Sequence, residues 1–178
     1  MKKASKGRSK LILVLGGAAS GKSQAALDLA GQSGPRAFVA TGQALDWEMA
    51  ARINRHRTTR SSDWETAEVP IHIAKWFDEN SKRYQSIVLD CLTLWLSNLQ
   101  GRRMSDSAVS QATIGLLRTI RATRARVVVV SNELGMGLVP TTKAVRAFRD
   151  LAGQVNQQVA AEADEVYLTI SGLLLRLK

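Results

Sequence analysis

The chain has 178 residues, of which 45% are hydrophobic and 22% are charged, a composition typical of a globular domain and not of a disordered or fibrous protein. Its apolar runs are far shorter than the roughly 20 residues that a membrane-spanning helix needs, and the N-terminus carries no recognisable secretory leader. We therefore expect a cytoplasmic protein with no membrane insertion. The single cysteine, Cys91, excludes an internal disulfide and fits a reducing compartment.

The net charge of +10 is concentrated at the N-terminus, where KKASKGRSK contains no acidic residue. We expect residues 1–10 to form a basic flexible tail, followed by a single domain at 11–178. A basic arm could bind nucleic acid, but no aromatic side chain is interleaved with these charges to stack on bases. A solvated tail without a nucleic-acid partner is therefore favoured.

The most informative segment is GGAASGKS at 16–23, which directly follows the apolar strand LILVL at 11–15. It fits G-x-x-x-x-G-K-[ST], the phosphate-binding loop, in which backbone N–H groups close around phosphate oxygens at the start of a helix. A glycine turn with a solvated lysine is the alternative, but the flanking strand and helix favour the phosphate loop. The predicted phosphate-binding residues are Gly16, Gly17, Ala18, Ala19, Ser20, Gly21, Lys22 and Ser23. Lys22 is expected to reach the β- and γ-phosphates as a catalytic residue, and Ser23 to bind Mg²⁺.

A helix is predicted over 22–30 and a strand over 36–41, and a second helix follows at 45–57 with one apolar stripe and a basic end. The stripe consists of Leu45, Met49 and Ile53. His56 lies at the basic end, among several arginines. Nearby cations favour the neutral imidazole that can act as a nucleophile, although a lone histidine on a basic helix is more often simply solvated.

A short extended segment at 64–70 contains Glu68, which could bind a ribose hydroxyl or a metal-bound water, or could be a solvated acid. A helix is predicted over 71–84, and a buried strand at 86–90 ends on Asp90. In phosphate-loop proteins an acid at the end of a neighbouring strand completes the Mg²⁺ shell, so Asp90 is a predicted metal ligand. It could also cap the next helix, and both roles can hold together.

Helices are predicted at 92–99 and at about 108–123, the latter with Val109, Ile114, Leu117 and Ile120 as its apolar set. VVVV at 127–130 has the continuous β-branched composition of a central parallel strand. Asn132 and Glu133 follow it, at the strand end where ligand sites gather.

The glycine-bearing loop that continues from there could cover a substrate or could be a plain connection. A helix at about 143–162 and strands at 165–170 and 172–177 complete the chain. Strands thus alternate with helices, which predicts an α/β fold with a mostly parallel sheet flanked by helices and the ligand at the carboxyl ends of the strands.

Six segments together resemble one family: GGAASGKS, FVATGQALDWEMAARINRHR, WETAE, LDCLTLWLSNL, VVVVSNELGMGLVP and FRDLAGQVNQQVAAEADEVYLTISGLLLRLK. It is the bifunctional adenosylcobinamide kinase and adenosylcobinamide-phosphate guanylyltransferase of cobalamin biosynthesis, and the resemblance covers residues 11–178. It implies a RecA-like P-loop NTPase domain that assembles as a homotrimer.

The resemblance also implies two successive reactions, with ATP and GTP as substrates and Mg²⁺ as cofactor. Adenosylcobinamide would be phosphorylated by ATP or GTP, and GMP would then pass from GTP through a guanylylated histidine to the cobinamide phosphate, giving adenosylcobinamide-GDP. His56 would be that histidine. The nucleotide contacts implied beyond the loop are Thr41, Gly42, Gln43, Arg57, Glu68 and Asp90.

This chain departs from the family pattern at two positions. Arg55 stands where some relatives carry a second histidine, so His56 alone can serve here, and Gly42 stands where a serine is common. The main alternative is a P-loop small-molecule kinase with a single reaction, in which His56 plays no part.

Overall fold

The computed structural model describes residues 9–58 and 61–178, except for the side chains of Arg52 and of residues 55–58. The strands are β1 (Leu11–Gly16), β2 (Arg36–Ala40), β3 (Trp64–Glu68), β4 (Ser86–Asp90), β5 (Arg126–Asn132), β6 (Glu165–Ile170) and β7 (Leu173–Arg176). The helices are α1 (Lys22–Ala30), α2 (Trp47–Thr58), α3 (Ile73–Asn80), α4 (Leu92–Gly101), α5 (Asp106–Ala122) and α6 (Lys143–Glu162), and a short 3-10 turn, Ser81–Arg83, follows α3. None of the described helices combines the length and apolar character that crossing a bilayer requires.

The described strands form one sheet in the order β3-β2-β4-β5-β1-β6-β7. All neighbouring pairs are parallel except β6 and β7, which form an antiparallel hairpin. The parallel strands therefore end at the same edge of the sheet, and that edge carries the phosphate loop. The predicted α/β fold with a mostly parallel sheet is confirmed.

Side chains of the central strands alternate between two hydrophobic clusters, one on each face of the sheet. In β5, Val127 and Val129 lie in the cluster under α3 to α6, whereas Val128 and Val130 lie in the cluster against α1. All four valines are buried, as expected for a strand covered by helices on both faces. Each such buried side chain contributes roughly 1.5–3 kcal/mol relative to an exposed one, so the sheet positions its strand ends on a rigid support.

The described domain begins before Leu11. Ser9 is buried, its carbonyl accepts a hydrogen bond from Arg121, and Lys10 pairs with Glu165 at 2.7 Å. The carbonyl of Lys10 also accepts from the N–H of Val127 at 2.8 Å, which continues the pairing of β1 with β5. Ser9 and Lys10, which the sequence assigns to the tail, thus contact the folded domain; residues 1–8 lie outside the described structure, and the division into a tail and a single domain stays a prediction.

Two predicted helices differ at their starts. Leu45 was predicted to begin the stripe of α2, but Asp46 accepts a hydrogen bond from Met49 N–H at 2.7 Å, so the helix starts after it and Leu45 is 81% exposed. The helix predicted at 71–84 is shorter, spanning Ile73–Asn80 with the 3-10 turn after it, and the carbonyl of Ile71 before it accepts from the indole of Trp95 at 2.9 Å. His72 consequently lies at the N-cap of α3 and not inside it.

The apolar face of α5 also differs from the prediction. The helix begins at Asp106, where the Ser105 hydroxyl accepts from Ala108 N–H at 3.2 Å, so it starts earlier than position 108. Thr113 and Leu116 are buried in its inward face, while Ile114 is only partly buried and lines a groove between α5 and α6.

Candidate active site

The segment 16–23 links β1 to α1 as a tight loop whose backbone requires glycine at two positions. A Cβ at Gly16 would lie 2.5 Å from the Ser20 Oγ and 2.7 Å from the Thr169 carbonyl, closer than packing allows. Gly21 has a φ of 92°, a left-handed conformation that glycine adopts without steric cost. Both fixed glycines of the motif are therefore needed for the shape of the loop.

The two functional side chains of the loop have defined partners. The Lys22 ammonium donates to the Gly17 carbonyl at 2.8 Å, which holds it over the loop. The Ser23 hydroxyl donates to Asp90 Oδ2 at 2.7 Å. These two oxygens come from α1 and from the end of β4, and β5 separates β4 from β1 in the sheet. The structure thus brings together the two predicted magnesium ligands.

A hydroxyl and a carboxylate in contact beside a phosphate loop are the oxygen donors that Mg²⁺ takes from the protein when nucleotide phosphates supply further ligands. The contact between Ser23 and Asp90 therefore fits the predicted cofactor. Among the described residues there is no cluster of three or more His, Cys, Asp and Glu side chains that could hold a metal without such help.

Thr41 follows β2, and its side chain is fully buried. Its hydroxyl donates to the Cys91 carbonyl at 2.7 Å and accepts from the Cys91 N–H at 2.9 Å, while its own N–H donates to the Asp90 carbonyl at 3.0 Å. Both hydrogen bonds of the hydroxyl thus tie the end of β2 to the end of β4. In this structure the hydroxyl positions Asp90 and is not directed at a ligand, and a direct contact of Thr41 with the nucleotide stays a prediction.

Gly42 and Gln43 continue along the same edge. A Cβ at Gly42 would lie 3.4 Å from the Leu94 Cδ1 and 3.5 Å from the Ile53 Cδ1, so a serine here would pack closely against α4 and α2. Gln43 is exposed, and its contact with the nucleotide stays a prediction.

The basic end of α2 carries the predicted nucleophile. The contact of Ile53 with Gly42 brings α2 against the carboxyl edge, and His56 lies one turn further along the same helix. The side chains of His56 and Arg57 lie outside the described residues, so their roles stay predictions. The other histidine, His72, is exposed at the start of α3.

Glu68 ends β3 and pairs in register with Ala40 of β2. It is exposed at the same edge as the phosphate loop, but β2, β4 and β5 lie between β3 and β1. A position at this edge does not by itself bring Glu68 to the phosphate loop, and its contact with nucleotide or metal stays a prediction.

Sequence reasoning missed several supporting residues. Asn98 of α4 donates to the carbonyls of Thr41 and Pro70 at 2.8 and 2.9 Å, which holds the loops after β2 and β3 together. The one amide side chain in the largely apolar segment LTLWLSNL was the available signal. The N–H of Gly172, in the turn between β6 and β7, donates to the Ser20 carbonyl at 3.0 Å and supports the phosphate loop from behind. Nothing in the local sequence indicated that contact.

Cys91 lies directly after Asp90 and is buried. Burial, followed by the negative charge of Asp90, raises the pKa of its thiol to about 12. The thiol is therefore protonated at neutral pH and serves packing, not nucleophilic chemistry.

A glycine loop between a parallel strand and a helix, with its serine in contact with an aspartate at the end of another strand, defines a nucleotide-binding α/β protein of the P-loop class. Within that class the chain belongs to the family described as cobinamide kinase / cobinamide phosphate guanyltransferase, whose model matches residues 12–177.

Relatives of similar length match nearly the whole chain. It is 38% identical over 180 residues to the bifunctional adenosylcobalamin biosynthesis protein CobU of Escherichia coli, covering 94% of this chain and 99% of that protein. Identity to CobU of Salmonella typhimurium is 39% over 180 residues, with the same coverage. The bifunctional adenosylcobalamin biosynthesis protein CobP of Pseudomonas aeruginosa is 37% identical over 171 residues, covering 93% of this chain and 96% of that protein. The resemblance found in the sequence is confirmed, and the chain is an enzyme of this family.

Proposed function

We propose that this chain phosphorylates adenosylcobinamide with ATP or GTP and then transfers GMP from GTP, through guanylylated His56, to form adenosylcobinamide-GDP. The observation that carries the proposal is the contact between Ser23 and Asp90 beside the phosphate loop, in a chain that belongs to the cobinamide kinase / cobinamide phosphate guanyltransferase family. A single-reaction kinase would need only the first half of this chemistry.

In the first reaction the terminal hydroxyl of the aminopropanol arm attacks the γ-phosphorus of the nucleotide. A new phosphorus–oxygen bond forms, the bond to the β–γ bridging oxygen breaks, the nucleoside diphosphate leaves, and the hydroxyl proton passes to solvent. Residues 16–23 hold the phosphates through backbone N–H groups, and Lys22 places its positive charge on the β- and γ-phosphates. Phosphoryl transfer depends mainly on such positioning and charge stabilisation.

Ser23 and Asp90 would hold Mg²⁺, which when bound supplies positive charge to the phosphate oxygens. Thr41 contributes by fixing the backbone of Asp90 and Cys91, as its three hydrogen bonds indicate. The carboxylate is therefore held at the strand end before any nucleotide arrives.

In the second reaction an imidazole nitrogen of His56 attacks the α-phosphorus of GTP and pyrophosphate leaves. A phosphate oxygen of the cobinamide phosphate then attacks the same phosphorus, the phosphorus–nitrogen bond breaks, and His56 is regenerated. The phosphate loop would anchor the departing pyrophosphate. Gly42, Gln43, Arg57 and Glu68 complete the proposed nucleotide contacts, and the family resemblance adds Thr41 to the same set.

Both reactions take place on one domain that begins before Leu11, and we expect the chain to form a homotrimer. Support for assembly comes from β7, an edge strand whose leucines at 173, 174 and 175 are exposed together with Leu177. An apolar edge of this kind favours pairing with another chain. Sedimentation analysis of the wild type and of Leu175→Lys tests it: a trimer that the substitution dissociates is expected, and a monomeric wild type would contradict the assembly.

The decisive experiment follows label from GTP carrying radioactive α-phosphate. We expect acid-labile, alkali-stable label on the wild-type protein after denaturing electrophoresis, on His72→Ala as the matched control, and none on His56→Ala. Phosphorylation of adenosylcobinamide should persist in His56→Ala, because that reaction uses the phosphate loop. A wild-type protein that phosphorylates the corrinoid but takes up no label would establish the single-reaction kinase instead.

A further inference from the structure

The loop between β5 and α6, residues 133–142, is anchored at both ends. At its start the Glu133 N–H donates to the Gly16 carbonyl at 3.0 Å, which joins it directly to the phosphate loop. At its end the Arg146 guanidinium donates to the carbonyls of Pro140 and Thr141, each at 2.8 Å. Leu134 packs against the hydrophobic core. The loop is therefore held in place by hydrogen bonds at both of its ends.

Between these anchors the loop presents apolar side chains to solvent. Met136, Leu138 and Val139 are 76%, 97% and 68% exposed. Isolated exposed apolar residues are common, but three within four positions beside a ligand site form a patch of the kind that marks an interaction surface. The neighbouring glycines, Gly135 and Gly137, keep the backbone of the loop narrow and leave these side chains prominent.

An open cavity of about 480 Å³ lies between the loop and α6. Its lining combines the apolar Val139 with the charged groups of Glu133, Arg149 and Asp150. Its volume is within the usual range for small-molecule sites, which join apolar walls to a few polar groups. Glu133, which lines the cavity, donates its backbone N–H to the Gly16 carbonyl, so the cavity lies beside the phosphate loop.

We propose that this loop and cavity form the docking surface for the corrin ring of the cobinamide substrate, an inference that rests on the function proposed above. A corrin ring has a broad apolar surface with primary amides around its edge. Met136, Leu138 and Val139 would lie against the ring, while Glu133 and Asp150 accept from its amide N–H groups and Arg149 donates to amide carbonyls. Docking beside Gly16 directs the aminopropanol arm toward the phosphate held by residues 16–23.

The experiment compares Met136→Ser, Leu138→Ser and the double variant with the wild type, and uses Ile114→Ser, in the groove between α5 and α6, as the matched control. Each loop substitution should raise the KM for cobinamide on the order of tenfold, which is the affinity that burying one large apolar side chain provides. The KM for ATP, measured at saturating cobinamide, should not change, because the nucleotide phosphates are held by residues 16–23 and not by this loop. Guanylylation of His56 by GTP should not change either, because that step takes place without the corrinoid.

Several results would overturn the docking surface. One is an unchanged KM for cobinamide in the double variant, and another is the loss of guanylylation together with corrinoid phosphorylation. A third is a changed mass in sedimentation, which would make the loop a subunit interface. Each variant should unfold on heating at the same temperature as the wild type, which shows that the kinetic comparison is between folded proteins. A wild-type protein with neither activity would contradict the proposed function, and the docking surface with it.

Discussion

Replacing Thr41 by valine tests whether its hydroxyl acts on the protein or on the nucleotide. Valine keeps the shape of the side chain and removes the hydroxyl group, which accepts a hydrogen bond from Cys91 N–H and donates one to Cys91 C=O. The carbonyl keeps a second partner, Trp95 N–H at 3.2 Å, whereas the buried N–H loses its partner. The structure therefore predicts the cost of one unsatisfied buried donor.

That cost is about 1–3 kcal/mol in the free energy of unfolding. For a domain of this size each kcal/mol lowers Tm by roughly 2–4 °C, so we expect Thr41→Val to unfold roughly 2–12 °C below the wild type. Nucleotide affinity of the folded variant should stay close to that of the wild type, because the hydroxyl is turned into the protein. Circular dichroism during heating measures the first quantity and titration with GTP and Mg²⁺ measures the second.

Thr119→Val is the matched control, since the Thr119 hydroxyl donates to the Leu116 carbonyl within α5 and holds no strand end. We expect its Tm to change little. If Thr41→Val instead left Tm unchanged and weakened GTP binding tenfold or more, the hydroxyl would belong to the nucleotide site and the positioning role argued from the structure would be wrong.

Two further predictions concern charged groups. Asp90→Asn keeps the shape of the side chain that contacts Ser23 but removes its charge. Phosphorylation of adenosylcobinamide should therefore fall roughly 10²-fold, with Tm little changed. A coupled assay of ADP release measures the activity, and full activity of the variant would refute the role of Asp90. For Glu165, the hydrogen bond from Lys10 is the main cause of a pKa below the ordinary value of 4.5. The stabilisation is therefore present above that value and disappears as pH falls through the lowered pKa of the folded state. Urea unfolding should show Glu165→Gln less stable than the wild type at pH 7 and the difference shrinking below pH 4.5; a difference independent of pH would point to packing instead.

Local features of the chain are sufficient to determine its class. The GGAASGKS segment follows an apolar strand, has glycines at the positions that backbone geometry requires, and leads into a helix whose first residues are Lys22 and Ser23. The run VVVV at 127–130 has the continuous β-branched composition of a strand covered on both faces. Such features are legible because glycine, periodicity and β-branching act over a few neighbouring residues.

The order of the strands depended on tertiary structure. Strand signals do not encode which strands become neighbours in a parallel sheet, because each crossover can place the next strand on either side. In the folded chain β5 lies between β1 and β4. Ser23, which follows β1, and Asp90, which ends β4, nevertheless come into contact although they are 67 positions apart in the chain.

Tertiary structure also decided which side chains are buried. Thr41 resembles a polar site residue in the sequence, yet it is enclosed by the ends of β2 and β4; Leu45 was predicted to belong to an apolar helix stripe, yet it is exposed. The sequence by itself determined that this chain binds a nucleoside polyphosphate and which family it resembles. Only the folded chain showed what holds Asp90 in place and which surface stands beside the phosphate loop, because burial depends on elements that are distant in sequence and meet only in the complete sheet.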